Sequence, residues 1–124
     1  MSDLQDGTQL GEQLAAVTNG LVGLFREYYG RGPTKAKSYL LDDSYLVCVL
    51  HETMTTVERT LVDAGRGEMV RSTRLAFQEA MADSFMGVVE EAMGRRVLSY
   101  HSQLTLSPDV GWEFFVLDGP SAAQ

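Results

Sequence analysis

Gly30-Arg31-Gly32-Pro33, followed by Thr34-Lys35-Ala36-Lys37-Ser38-Tyr39-Leu40-Leu41, is the stretch on which the fold turns. Two glycines that can take the left-handed conformation, and a proline that cannot continue a helix, form a strong stop signal. The next residues alternate, with Lys35, Lys37, Tyr39 and Leu41 on one side and Thr34, Ala36, Ser38 and Leu40 on the other, which is the period of a strand. The same stretch holds three bases and no acid, so it is a structural join and a candidate anion site together.

Upstream of the join, Leu10, Leu14, Val17, Leu21, Leu24/Phe25 and Tyr28 recur every three or four residues. This predicts an amphipathic helix of about five turns, roughly 30 Å long. Downstream, Asp42-Asp43 reads as a turn and 45–50 as an apolar strand, so the two segments form a hairpin. The second strand is apolar on both faces, which predicts a central place in the sheet or a partner over its far side.

After His51-Glu52 the helical period returns. Thr55-Thr56-Val57-Glu58 is a capping-box sequence that opens a short helix through Val57, Leu61 and Val62, ending near Ala64-Gly65. Val70, Phe77, Met81, Phe85, Val88 and Ala92 carry a second long helix that closes at Met93-Gly94. From Arg96 the chain alternates once more up to Leu106, with Ser107-Pro108-Asp109-Val110-Gly111 as a turn and 112–118 as a last strand, bulky on both faces. The predicted order is α-β-β-α-α-β-β, an α+β fold with a four-stranded, mainly antiparallel sheet and helices packed on one face. One domain is expected over 1–124, ordered over about 8–118, with flexible tails at 1–7 and 119–124. Strands apolar on both sides call for further burial, and a homodimer is the simplest source of it.

A chain of 124 residues buries roughly two-thirds of its unfolded surface and needs no covalent staples. Its single cysteine, Cys48, lies in the apolar run 45–50 and reads as a small buried hydrophobe. Seventeen acids against ten bases give a net charge of -7, which argues against a general affinity for nucleic acid or anionic lipid. Apolar runs are far shorter than the roughly 20 residues that cross a bilayer, and no signal-peptide pattern opens the chain. A soluble, cytoplasmic protein without direct membrane insertion is expected.

Five bases are candidate anion-binding residues: Arg31, Lys35 and Lys37 beside the glycines, and Arg71 and Arg74 one helical turn apart. The competing reading of the lysines is protection of an exposed edge strand. For the arginines it is an ion-pair network of Glu58, Arg59, Arg71 and Arg74 that fixes how two helices pack. His51, Glu52 and His101 are the one grouping that resembles acid-base or metal chemistry, yet neighbours on a strand point to opposite faces. No catalytic residue, metal or cofactor is expected. Tyr28, Tyr29, Tyr39, Trp112, Phe114 and Phe115 read as core packing between sheet and helices, with a ligand cleft as the alternative.

The ordered set Gly30-Arg31-Gly32-Pro33, a lysine-bearing strand, Asp42-Asp43, an apolar strand, Thr55-x-x-Glu58-Arg59-x-Leu61, Arg71-x-x-Arg74 and Gly94-x-x-Val97 resembles a known family. It is that of the small bacterial MpsC-like proteins of the Na+-translocating membrane potential-generating system, and the resemblance runs from about residue 8 to residue 118. The resemblance implies association with a system that generates membrane potential or takes up inorganic carbon. Other subunits would then do the membrane-spanning work, with this chain at the inner face of the membrane only through them. It supplies no catalytic residues to carry over. The reading that follows is a non-enzymatic accessory or regulatory protein, and its alternative is a sensor of a small anion or metabolite.

Overall fold

The computed structural model describes residues 2–119. Its elements are α1 (Ser2–Tyr29), β1 (Lys35–Leu41), β2 (Tyr45–His51), α2 (Thr56–Asp63), α3 (Gly67–Met93), β3 (Val97–Thr105) and β4 (Val110–Leu117). The order and the α+β class are those expected. Helix α1 begins at Ser2, ahead of the first stripe residue Leu10. Of the two expected tails, Met1 and residues 120–124 lie outside the described residues.

Helix α1 stops where the sequence says. Gly30 takes a φ of +79° and its N–H donates to the Arg26 carbonyl at 3.1 Å, an end that residues with a Cβ adopt at a cost. Pro33 follows and β1 begins two residues later. Asp42 and Asp43 both have positive φ, 51° and 55°, and Ser44 N–H donates to the Leu41 carbonyl at 3.1 Å. Leu41 pairs with Tyr45, so three residues, Asp42 to Ser44, make the hairpin connection, and aspartate tolerates a positive φ better than most residues.

The sheet order is β1-β2-β4-β3, antiparallel throughout. β2 is therefore central, as its apolar composition predicts. Strand β4 starts at Val110, so the turn before it is shorter than the sequence reading allowed.

Helices α1 and α3 lie across one face. Val17, Leu21 and Phe25 of α1 meet Phe85, Val89 and Met93 of α3 over Leu46, Cys48, Leu50, Phe115 and Leu117 of the sheet. Gly20 lets the helices approach closely, because a Cβ there would fall 2.5 Å from Val88 Cγ1. Cys48 is fully buried, and burial pushes its thiol up to about 11. A smaller cluster of Met54, Val70 and Leu104 seats α2 through Leu61 and Val62. Val57, read as part of that apolar stripe, is instead exposed.

Among the described residues, no helix covers the other face of the sheet. Tyr39, Leu41, Tyr45 and Trp112 are 42%, 52%, 41% and 41% exposed, with Val47, Val49, Phe114 and Val116 half-buried beside them. The expectation that all six aromatics pack between sheet and helices is thus corrected. Tyr29 and Phe115 face inward, whereas Tyr39, Trp112 and Phe114 face outward and Tyr28 is half exposed at the end of α1. Strand parity decides this: Phe115 shares a face with buried Glu113 and Leu117, and its neighbours must share the other.

Candidate functional site

The buried positions of α3 are Val70, Arg74, Gln78, Phe85, Val89 and Met93. Arg74 and Gln78 thus stand in the core-facing stripe, one and two turns after Val70, and bring polar groups beneath the sheet. Around them two hydrogen-bonded groups form.

The first is centred on Arg74, which is 4% exposed. Its Nε and Nη2 donate to Glu58 Oε2 and Oε1, both at 2.7 Å, the paired fork geometry that matches guanidinium to carboxylate. Nη2 also donates to the Thr53 carbonyl at 3.0 Å, and the guanidinium carbon lies 4.1 Å from the centre of the Tyr29 ring. Glu58 is held in turn by its capping box: it accepts from Thr55 N–H at 2.9 Å and its own N–H donates to Thr55 Oγ1 at 3.1 Å. Burial alone would raise the Glu58 carboxyl, but bonds from Arg74 and Thr55, with the Arg74 charge, hold it below its usual value. Burial likewise works against the Arg74 charge, and Glu58 more than offsets it.

The segment Thr53-Met54 runs through this group with all four backbone polar groups bound by side chains or by the arginines' forks. Asp109 accepts from Thr53 N–H at 3.1 Å and Met54 N–H at 3.0 Å, while Arg74 binds the Thr53 carbonyl and Arg31 Nη1 the Met54 carbonyl at 2.7 Å. The Asp109 carboxylate also meets Arg59 Nη2 at 3.4 Å. Buried backbone without sheet partners needs such groups. Arg31, read beforehand as an anion-binding candidate, works here as a clamp on the chain.

The second group is centred on Glu113 of β4, 1% exposed. Ser102 Oγ donates to Glu113 Oε2 at 2.8 Å, Gln78 Nε2 approaches the same oxygen at 3.5 Å, and Tyr100 Oη bonds to Glu113 Oε1 and to Gln78 Oε1. The phenol has one proton for two acceptor oxygens, so the set is complete when Glu113 itself carries a proton. Burial pushes the Glu113 carboxyl up to about 7, against the lowering effect of Tyr100, Ser102, Gln78 and Arg74. The Tyr100 phenol is raised well above its usual value, first by burial and then by Glu113.

A cavity of about 160 Å³ opens beside both groups, lined by Arg71, Arg74, Leu75, Gln78, Ser102, Gln103 and Leu104. The five candidate cations do not converge on it. Lys35 and Lys37 extend from the outward side of β1, with Lys37 Nζ 5.3 Å from the Tyr39 ring centre, on the opposite face of the sheet. Arg71 donates to the Leu104 carbonyl at 3.3 Å and pairs with exposed Glu68 at 3.7 Å, not with Glu58. Arg59 pairs with Asp109. The expected network therefore runs through Glu58 and Arg74 alone.

Nor do His51, Glu52 and His101 come together. Glu52 has a φ of 59° and accepts from Thr34 Oγ1 at 2.8 Å, whereas exposed His101 lies beside Ser99 and Phe114 on β3. Among the described residues no group of three His, Cys, Asp or Glu side chains could hold a metal ion.

A direct comparison separates the buried pair from the surface lysines. Glu58→Ala should lower the unfolding free energy by about 3 kcal/mol, since Arg74 would keep a buried charge without its partner. Lys35→Ala should change it by less than about 0.5 kcal/mol, as expected of an exposed side chain. Equal losses in urea titrations of the two variants would contradict this division.

No curated protein and no solved structure matches the chain. The sequence profile of one family matches residues 9–119, from the first stripe of α1 to the residues after β4. The same span carries the glycine-proline join, the capping box, the Arg74 position and the Gly94 helix end, so the chain belongs to the MpsC family, described as the Na+-translocating membrane potential-generating system.

Proposed function

We propose that the chain is a non-enzymatic accessory or regulatory protein of a bacterial system that generates membrane potential or takes up inorganic carbon. It works as a homodimer and meets the membrane-embedded subunits of that system from the cytoplasmic side. The observation that carries this reading is the uncovered face of the sheet, where Tyr39, Leu41, Tyr45 and Trp112 stand exposed in one patch. Monomeric soluble proteins rarely leave so contiguous an apolar surface in water. The family points to the system. No helix among the described residues is long and apolar enough to cross a membrane.

Purification of the tagged chain at native expression from detergent-solubilised membranes tests this. Polytopic subunits of an ion-translocating system, identified by mass spectrometry, should copurify. Recovery of the chain with no membrane protein would contradict the reading.

The cavity beside Arg71 favours a second reading, a small-anion sensor, although Arg74 is bound to Glu58 and both lysines are on the other face. A thermal-shift screen with bicarbonate, phosphate and small carboxylates addresses it, because a ligand at 100 times its dissociation constant stabilises by about 2.7 kcal/mol.

A further inference from the structure

The outward residues of the four strands fall into rows across the sheet. The central row is Tyr39, Val47, Phe114 and His101. On one side of it lies the row Lys37, Val49, Trp112 and Gln103, and on the other Leu41, Tyr45, Val116 and Ser99. None of these twelve positions is a carboxylate, in a chain of net charge -7. Lys37 is the one Lys, Arg, Asp or Glu among them, and the other charges stand at the two ends. Lys35 and Lys37, with Glu52 just beyond β2, mark the end where β1 begins, and the exposed Asp42-Asp43 turn marks the opposite end, together with Asp118, Arg96 and Arg95, which pairs with Asp43 at 3.5 Å.

We infer that this face is where two copies of the chain associate, stacked sheet on sheet about a twofold axis that runs across the strands along the central row. The inference rests on the dimeric reading above and adds its surface and its geometry. Charge chooses the axis. A twofold axis parallel to the strands would set lysine pair beside lysine pair and aspartate turn beside aspartate turn. An axis across the strands turns one sheet end for end, so that Lys35 and Lys37 of each copy approach Asp42 and Asp43 of the other. The apolar rows are then matched as well: each central-row residue meets its own copy, and the Trp112 row lies over the Tyr45 row. Aligned sheets pack with their strands within about 30° of each other and about 10 Å apart, which the alternating large and small side chains of these rows can fill.

Single-cysteine crosslinking tests the geometry. Cys48 is fully buried and does not compete. Stacked strands stand about 10 Å apart and a disulfide needs Cα atoms within about 7 Å, so a short bis-maleimide is the reagent. His101→Cys, at the β3 edge of the central row, should link to its own copy, as should Tyr39→Cys at the β1 edge. An axis parallel to the strands would carry these two edges to opposite sides and give no self-linked product from either. In sedimentation equilibrium, Lys35→Glu with Lys37→Glu should weaken the dimer about tenfold, and adding Asp42→Asn with Asp43→Asn should recover most of that loss. Asparagine keeps the positive φ of the turn accessible. A wild-type dimer in which neither cysteine links and the charge variants have no effect would overturn the inference and leave the dimeric reading standing. A wild-type chain that is monomeric at all concentrations would overturn both.

Discussion

Arg74→Ala should lower the unfolding free energy by about 3–5 kcal/mol, the loss expected when one member of a buried ion pair is removed. Arg74 is 4% and Glu58 9% exposed, so the remaining carboxylate would have little water to replace its two 2.7 Å bonds. The Thr53 carbonyl would lose its 3.0 Å donor and the Tyr29 ring its cation in the same step. For a chain of this size the melting temperature should fall by about 10 °C or more. The double variant Arg74→Met with Glu58→Leu should recover much of the loss, because an apolar pair leaves no buried charge behind. Urea titration of Arg74→Met, Glu58→Leu and their double variant closes the cycle, and additive losses would contradict the pairing. The pair also has a pH signature. The Glu58 carboxyl is lower in the folded chain than in the unfolded one, so its contribution is present at neutral pH and is lost as pH falls through the folded value.

Glu113→Gln should stabilise the chain above neutral pH by up to about 3–4 kcal/mol and flatten its stability between about pH 4.5 and 7. The folded carboxyl, raised to about 7 from an ordinary 4.5, keeps its proton across a window in which the unfolded chain has released it. The folded state then binds more protons than the unfolded one, so stability declines with rising pH. The Glu113 contribution is complete below about 4.5 and is lost as pH passes through 7. The difference of about 2.5 pH units, at about 1.4 kcal/mol each, gives the magnitude. Glutamine keeps the shape and cannot ionise. Urea titrations at pH 5 and pH 8 measure it: the variant should exceed the wild type at pH 8 by more than at pH 5, and an equal offset at both would contradict a titrating Glu113. Glu58 and Glu113 thus act with opposite sign, one weakening the fold in acid and the other as pH rises to neutrality.

How far these features were legible in the sequence depends on their range. The change of period at Pro33, the Asp42-Asp43 turn and the Thr55 to Glu58 capping box are local signals, and each forms as read. The Glu58 to Arg74 pair was legible because two helices joined by a short glycine turn bring neighbouring turns together. Arg71, offered as an equal partner for Glu58, instead donates to the Leu104 carbonyl of β3 and pairs with Glu68. Glu113 was missed for a different reason. In 112–117 its alternates Trp112, Phe114 and Val116 are as apolar as its companions Phe115 and Leu117, so parity could not say which set faces the helices. Asp109 sat in an expected turn, and nothing local announces that its carboxylate binds the backbone of Thr53 and Met54. The same ambiguity of parity hid the outer patch, because aromatics on both sides of a strand read as core on both sides.

The reading of the protein as an assembled surface, with its polar interior serving the fold, is tested most directly by mass in solution. Light scattering of the purified wild type should give twice 13.7 kDa, with a shift toward 13.7 kDa on dilution or on Trp112→Glu. A wild-type mass of 13.7 kDa at every concentration, unchanged by Trp112→Glu, would contradict it.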